Sequence, residues 1–160
     1  MAIDMFLQVD GTNGESADAN HQGWIDIESM SWGASQAASI SGGGGGSSKV
    51  SFTSLRTVAA IDSATPALIK YCASGKHVTG AKISVCKAGG TQIEYSTVVL
   101  KDVLVTSTSM TGSSGGERVG IIYSFQAAKV EHHYWVQGKD GSKGAESQMG
   151  WDVKQNIATA

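Results

Sequence analysis

Five consecutive glycines, Gly42 to Gly46, precede Ser47, Ser48 and Lys49, residue types that build phosphate-binding loops. Such a loop needs Gly-Lys-Ser/Thr at its end and a helix behind it, so that backbone N–H groups converge on the phosphates. Here Lys49 leads into Val50 and an extended run toward Leu55, so the glycines read as a plain loop. His132 and His133 are adjacent on a predicted strand, which sends their side chains to opposite faces and denies them a shared metal. No Cys or His pair has zinc spacing, and no serine stands in Gly-x-Ser-x-Gly. Asp26 and Glu28 share one side of a strand, as do Lys82 and Ser84. With nothing to mark a cleft, these are predicted to be solvated or interface-rim positions. Cys72 reads as a small core residue rather than a nucleophile. Trp24, Trp32, Trp135 and Trp151 read as core or interface anchors, because a base-stacking platform would need a basic groove. These residues argue against an enzyme and require no cofactor or metal.

Composition narrows the class further. The chain has 160 residues, enough for one domain that buries about 70% of its unfolded surface without disulfides. Charged residues make up 16%, against about 25% in an average domain. With 21 glycines as well, the surface is expected to be partly covered by other copies of the chain. A net charge of −2 and only two arginines, Arg56 and Arg118, leave no basic field for nucleic acid. Cys72 and Cys86 are expected to be free thiols in a reducing compartment. Met1 to Met5 has neither a positive region nor an apolar core. No run approaches the ~20 apolar residues of a membrane helix. A cytoplasmic chain without membrane insertion, exported only by another machine, is the expectation.

The elements that must position these residues are mostly strands. Ile3, Met5, Leu7 and Val9 alternate with polar residues up to Asp10-Gly11, and Thr12 to Gln22 reads as a loop. Between Trp24 and Gln36 the pattern inverts: Ile25 and Ile27 are apolar, but from Ser29 onward Met30, Trp32 and Ala34 carry the bulk. Ser29, Ser31, Gly33 and Ser35 then form a face of small residues. A bulge, or a strand crossing between sheets, produces such an inversion. One helix is predicted at about 65–74, with Thr65 as N-cap, Pro66 in the first turn, Gly75 as the stop, and Leu68, Tyr71 and Cys72 on one face. Ala81, Ile83 and Val85 mark a further strand; Ile93, Tyr95, Val99, Val103 and Val105 mark one face of a long one. Val119, Ile121, Tyr123 and Phe125 open another, whose apolar set moves to Val130, Tyr134 and Val136 after Ala127-Ala128. A last short strand is predicted around Trp151 and Val153. Two long strands that each change face suit a strongly bent sheet or a barrel.

Nine segments then occur in a telling order: Met1 to Leu7, Gly14-Glu15-Ser16, Ser31 to Gln36, Gly42 to Gly46 with Lys49-Val50, Ser74 to His77, Lys87 to Gly90, Glu94-Tyr95, Val103-Leu104-Val105 and Gly150-Trp151-Asp152. In these the chain resembles the haemolysin-coregulated protein (Hcp) family, tube subunits of the bacterial type VI secretion system. The likeness spans residues 1 to about 156, with Cys86 standing where many members carry Arg.

The resemblance implies a mostly β fold, a two-sheet β-barrel with one short flanking helix, similar to phage tail-tube proteins and assembling as a hexameric ring. It implies one domain over 1–160, stacked rings, a VgrG spike, a contractile sheath and effector proteins in the lumen, with secretion on sheath contraction. Within that frame Ser29, Ser31 and Ser35 are candidates for the lumen, because a corridor for varied cargo favours small polar groups. The alternative is that these serines only relieve crowding beside Trp32. The loop at about 39–48, with Gly42, Gly43, Gly44, Gly45 and Gly46, is the candidate contact between subunits or rings. A stand-alone barrel that binds without polymerising is the other functional class considered.

Overall fold

The computed structural model describes residues 2–37, 49–88 and 92–160. The glycines Gly42 to Gly46 lie outside the described residues, and so does the loop expectation attached to them. The elements run β1 (Ile3–Val9), β2 (Ile25–Ser31), β3 (Ala34–Ser35), β4 (Ser51–Phe52), β5 (Leu55–Ala60), α1 (Thr65–Ser74), β6 (Val78–Lys87), β7 (Ile93–Thr111), β8 (Gly120–Gln137), β9 (Lys143–Asp152) and β10 (Ile157–Ala158).

Six strands close a barrel in the order β1–β2–β5–β8–β7–β6, because β8 pairs with both β5 and β7 while β6 joins β7 to β1. The long strands β7 and β8 belong to both of its sheets. The first half of β7 runs beside β6 and the second half of β8 beside β9; together with β1 they form one sheet. The second half of β7 and the first half of β8 join β5 and β2 in the other. The two long strands cross between sheets at one place. On β7 the core residues are Val98 and Leu100 before it and Val103 and Val105 after it. Between them Asp102 takes φ of 54°, a left-handed conformation uncommon outside glycine. Val99, predicted on the core face, is therefore displaced from it, and Val98 and Leu100 pack inside instead. On β8 the inversion after Ala127-Ala128 is present, with Phe125 and Val130 buried on either side.

Inside, Leu7, Ile25, Leu55, Ile83, Leu100, Ile121, Tyr123 and Phe125 are almost wholly buried. Each fully buried side chain of this size contributes about 1.5–3 kcal/mol relative to exposure. Helix α1 packs Leu68, Tyr71 and Cys72 against this core and stops at Gly75 with φ of 67°, as a left-handed C-terminal residue should. Its start differs from the prediction. Ala64 is the N-cap and makes no side-chain cap, while Thr65 turns inward, its Oγ1 2.8 Å from the Tyr123 hydroxyl and accepting the Asp62 amide. The final strand also differs. Trp151 belongs to β9, and the short terminal strand is β10, paired with Asp152 and Trp151.

Candidate functional site

The outer face of the β2–β5–β8–β7 sheet carries two of the three candidate serines. Across β2 and β5, Ile27 pairs with Ala59 but Ser29 pairs with Val58, so Glu28 is one residue too many. That bulge inverts the strand as predicted: Ile25 and Ile27 point into the core, and Ser29 and Ser31 point out and are exposed. Neighbouring strands continue the same face. Ser31 pairs with Arg56, Arg56 with Ser124 and Ser124 with Ser107; Ser29 pairs with Val58, Val58 with Ile122 and Ile122 with Ser109. A second bulge at Thr106 on β7 keeps Ser107 and Ser109 in phase with their partners. Ser35 is placed elsewhere, in the separate two-stranded β3–β4 sheet opposite Ser51. There Trp32 stacks on Phe52 with ring centroids 5.7 Å apart.

At both lateral edges of this sheet the last strand lacks a further strand partner among the described residues. Beyond Ile27, β2 has only β5 beside it. Beyond Val103, β7 has only β8 as a strand partner, and α1 also packs against β7. Unpaired N–H and C=O groups along such edges are templates for another strand.

A buried polar chain, not foreseen from the sequence, lies on the opposite side of the barrel. The loop between β1 and β2 folds over the outer face of β1 and β6 and inserts His21, which is 5% exposed. Its Nδ1 is 2.6 Å from Asp18 and its Nε2 2.9 Å from Ser84 Oγ. The order Asp, His, Ser is that of a hydrolase triad, but the Ser84 hydroxyl donates to Glu94 Oε2 at 2.5 Å and Ser84 is fully buried. No substrate carbonyl can reach it, so the arrangement lacks the accessible nucleophile that acyl transfer needs. The prediction of Ser84 as a solvated position is thereby overturned: the covering loop hides a strand face that alternation alone marks as exposed. A bulge at Tyr95 on β7 puts Glu94 opposite Cys86, on the Ser84 face. Burial pushes the Cys86 thiol up, so it stays protonated. The His21 hydrogen bond is the main reason the Asp18 carboxyl falls below its usual range.

The adjacent histidines of β8 do face opposite ways. His132 Nε2 meets Ser96 Oγ at 3.0 Å, and burial pushes its imidazole down. His133 sits between Glu146 and Glu131 at 2.7 and 3.0 Å. It stacks on Trp135, whose ring also lies under Lys143 Nζ at 3.5 Å.

The sequence pattern of the family described as "Type VI secretion system effector, Hcp" matches residues 6–132. This chain belongs to the Hcp family. Protein hcp1 of Pseudomonas aeruginosa is 42% identical over 162 residues, covering 98% of this chain and 99% of that protein. Among solved structures, one described as a type six secretion system protein aligns with a TM-score of 0.92 at 25% identity, over 99% of this chain and 100% of that one. Hcp1 from Salmonella typhimurium aligns at 0.81 and 34% identity over 99% of each chain. A type VI secretion effector from Yersinia pestis aligns at 0.77 and 31% identity, over 94% of this chain and 100% of that one. The Hcp fold is thus present along almost the whole chain, and among the described residues no helix is long and apolar enough to cross a membrane.

Proposed function

We propose that this Hcp-family chain is the tube subunit of a type VI secretion system. Six copies close a ring, rings stack into a tube capped by VgrG inside a contractile sheath, and effector proteins travel in the lumen. The observation that carries this reading is the β2–β5–β8–β7 sheet, without a further strand partner at either lateral edge and lined outward by Ser29, Ser31, Ser107, Ser109 and Ser124. A ring requires a heterologous contact, one patch meeting a different patch on the next copy, repeated until the rotation closes. The β2 edge of one copy and the β7 edge of the next supply such a pair. Closure that way turns the serine face toward the ring axis and satisfies edge groups that would otherwise invite aggregation.

Before the tube fires, the chain is cytoplasmic; contraction then delivers it outside the cell. Electron micrographs of the purified protein test the first step. Annular particles with an open centre are expected, and compact particles without a central hole would contradict it.

A further inference from the structure

The two ends of the β2–β5–β8–β7 sheet carry opposite charge. At one end β2 enters the sheet at Glu28, beside the Ala59–Ile121 and Ala60–Gly120 pairs. At the other, past the Leu55–Phe125 and Phe125–Val105 pairs, β7 and β8 cross to the second sheet at Lys101, Asp102 and Lys129. From Ile121 to Lys129 along β8, roughly 25 Å of strand separates them.

The first end gathers carboxylates from separate segments. Glu15 of the β1–β2 loop, Asp26 and Glu28 of β2, and Asp62 after β5 line one groove. Among the described residues the only cation lining it is Arg118, paired with Glu28 at 3.2 Å. Glu15 and Asp26 are exposed. Burial, and after it the charges of Glu15 and Asp26, pushes the Asp62 carboxyl up.

The second end is lined by Lys101, Lys129 and Lys154, all exposed. Its carboxylates are already occupied. Asp102 lies between His77 at 2.8 Å and Lys154 at 3.4 Å, and Asp152 is buried and accepts the Gln155 amide. Lys101 reaches Glu131 at 2.8 Å, but Lys129 makes no ion pair with a described residue.

We propose that the carboxylate end of one copy and the lysine end of another form the contact between stacked rings. The contact rests on the ring closure proposed for the β2 and β7 edges. With those edges joining copies around the ring, the strands of this sheet run from one ring face to the other. Rotation alone relates the copies, so all carboxylate ends share one face and all lysine ends the opposite face. A second ring in the same orientation then sets unlike charges together. A reversed ring would set like against like, which is strongly unfavourable.

The test sediments rings of the full chain at low and at high salt. Unaltered rings should associate at low salt and separate as salt screens the contact. Asp26→Lys and Lys129→Glu should each weaken that association by about tenfold or more, because every copy in the ring repeats the mismatch. The two substitutions move net charge in opposite senses, so a loss in both is not an effect of overall charge. Each variant should keep the mass of a closed ring, since Asp26 pairs with β1, and Lys129 with β7 and β9, away from the closing edges. Rings that stay apart at low salt, or that associate undiminished in either variant, would overturn the proposal and leave ring closure standing. A chain that sediments as single protomers would remove ring closure itself, and the proposal with it.

Discussion

Ser29 stands opposite Val58 across the β2–β5 ladder, although Ile27 two residues earlier stands opposite Ala59, the very next residue on β5. The unpaired residue between them, Glu28, absorbs one position of the alternation, so Ser29 takes the outward place next to Ile27. Removing it leaves a continuous period of two in which Ile27 and Met30 face in, Ser29 and Ser31 face out, and the partners Ala59, Val58, Thr57 and Arg56 are unchanged. Deleting Glu28 should therefore cost less than about 1 kcal/mol, since only an exposed side chain and its ion pair are lost. Glu28→Ala leaves the bulge in place and removes an exposed ion pair with Arg118 at 3.2 Å, worth less than about 1 kcal/mol. Urea midpoints of the two variants should fall close together, and a large loss in the deletion alone would show that the bulge itself is needed to hold the serines outward.

Tyr123 joins the helix to the barrel. Its hydroxyl lies 2.8 Å from Thr65 Oγ1 in the core, where burial pushes the phenol up and keeps it a donor at neutral pH. Tyr123→Phe keeps the ring and should cost ~0.5–1.5 kcal/mol, the net worth of one hydrogen bond. An unchanged midpoint in chemical unfolding would mean that the bond contributes nothing.

Much of this fold was legible because hydrophobic period reports which face of a strand is buried. The inversion after Ile27, the change of face on β8 after Ala127-Ala128, and the Pro66–Gly75 limits of the helix all follow from that pattern and from backbone preference. Asp102 was not legible, since its left-handed conformation is held by the crossing of two sheets, a tertiary constraint. Nor was the His21 chain. Ser84 sits between Ile83 and Val85 like any exposed position of an alternating strand, and only the loop folded over it makes it a core residue. Thr65 misled because a threonine before a proline suits a cap as well as a buried contact. Of the candidate serines, Ser29 and Ser31 share a face because they share a strand, whereas Ser35 lies past the end of β2.

His133 gives the β8–β9 hairpin a dependence on pH. Burial opposes its charge, but the hydrogen bonds to Glu146 and Glu131 prevail and hold the imidazole above its ordinary value. Stability from such a group is full below the unfolded value of about 6.5 and is lost as pH rises through the folded one. Glu131, held low by Lys101 first and His133 second, acts in the opposite sense. Its contribution is present above about 4.3 and lost as pH falls through the folded value. Amide protection along β9, corrected for the intrinsic exchange rate, should thus decline as pH rises above about 6.5 and lose that decline in His133→Gln. Equal slopes in the two proteins would contradict the assignment.

The serine face makes a separate claim about cargo. Ser31→Gln adds bulk and an amide group to an exposed position on β2 without touching the core. Effector proteins should no longer co-purify with the rings, while the rings themselves persist. Unchanged recovery of effectors would show instead that these serines only relieve crowding beside Trp32.

Ring closure is the claim on which the rest stands, and the mass of the purified chain by light scattering across a size-exclusion peak tests it most directly. A species near about six times the 16.5 kDa protomer, holding steady on dilution, is the predicted result for a closed heterologous ring. A monomer of one protomer mass in gentle salt would contradict it and leave a stand-alone barrel of the same fold.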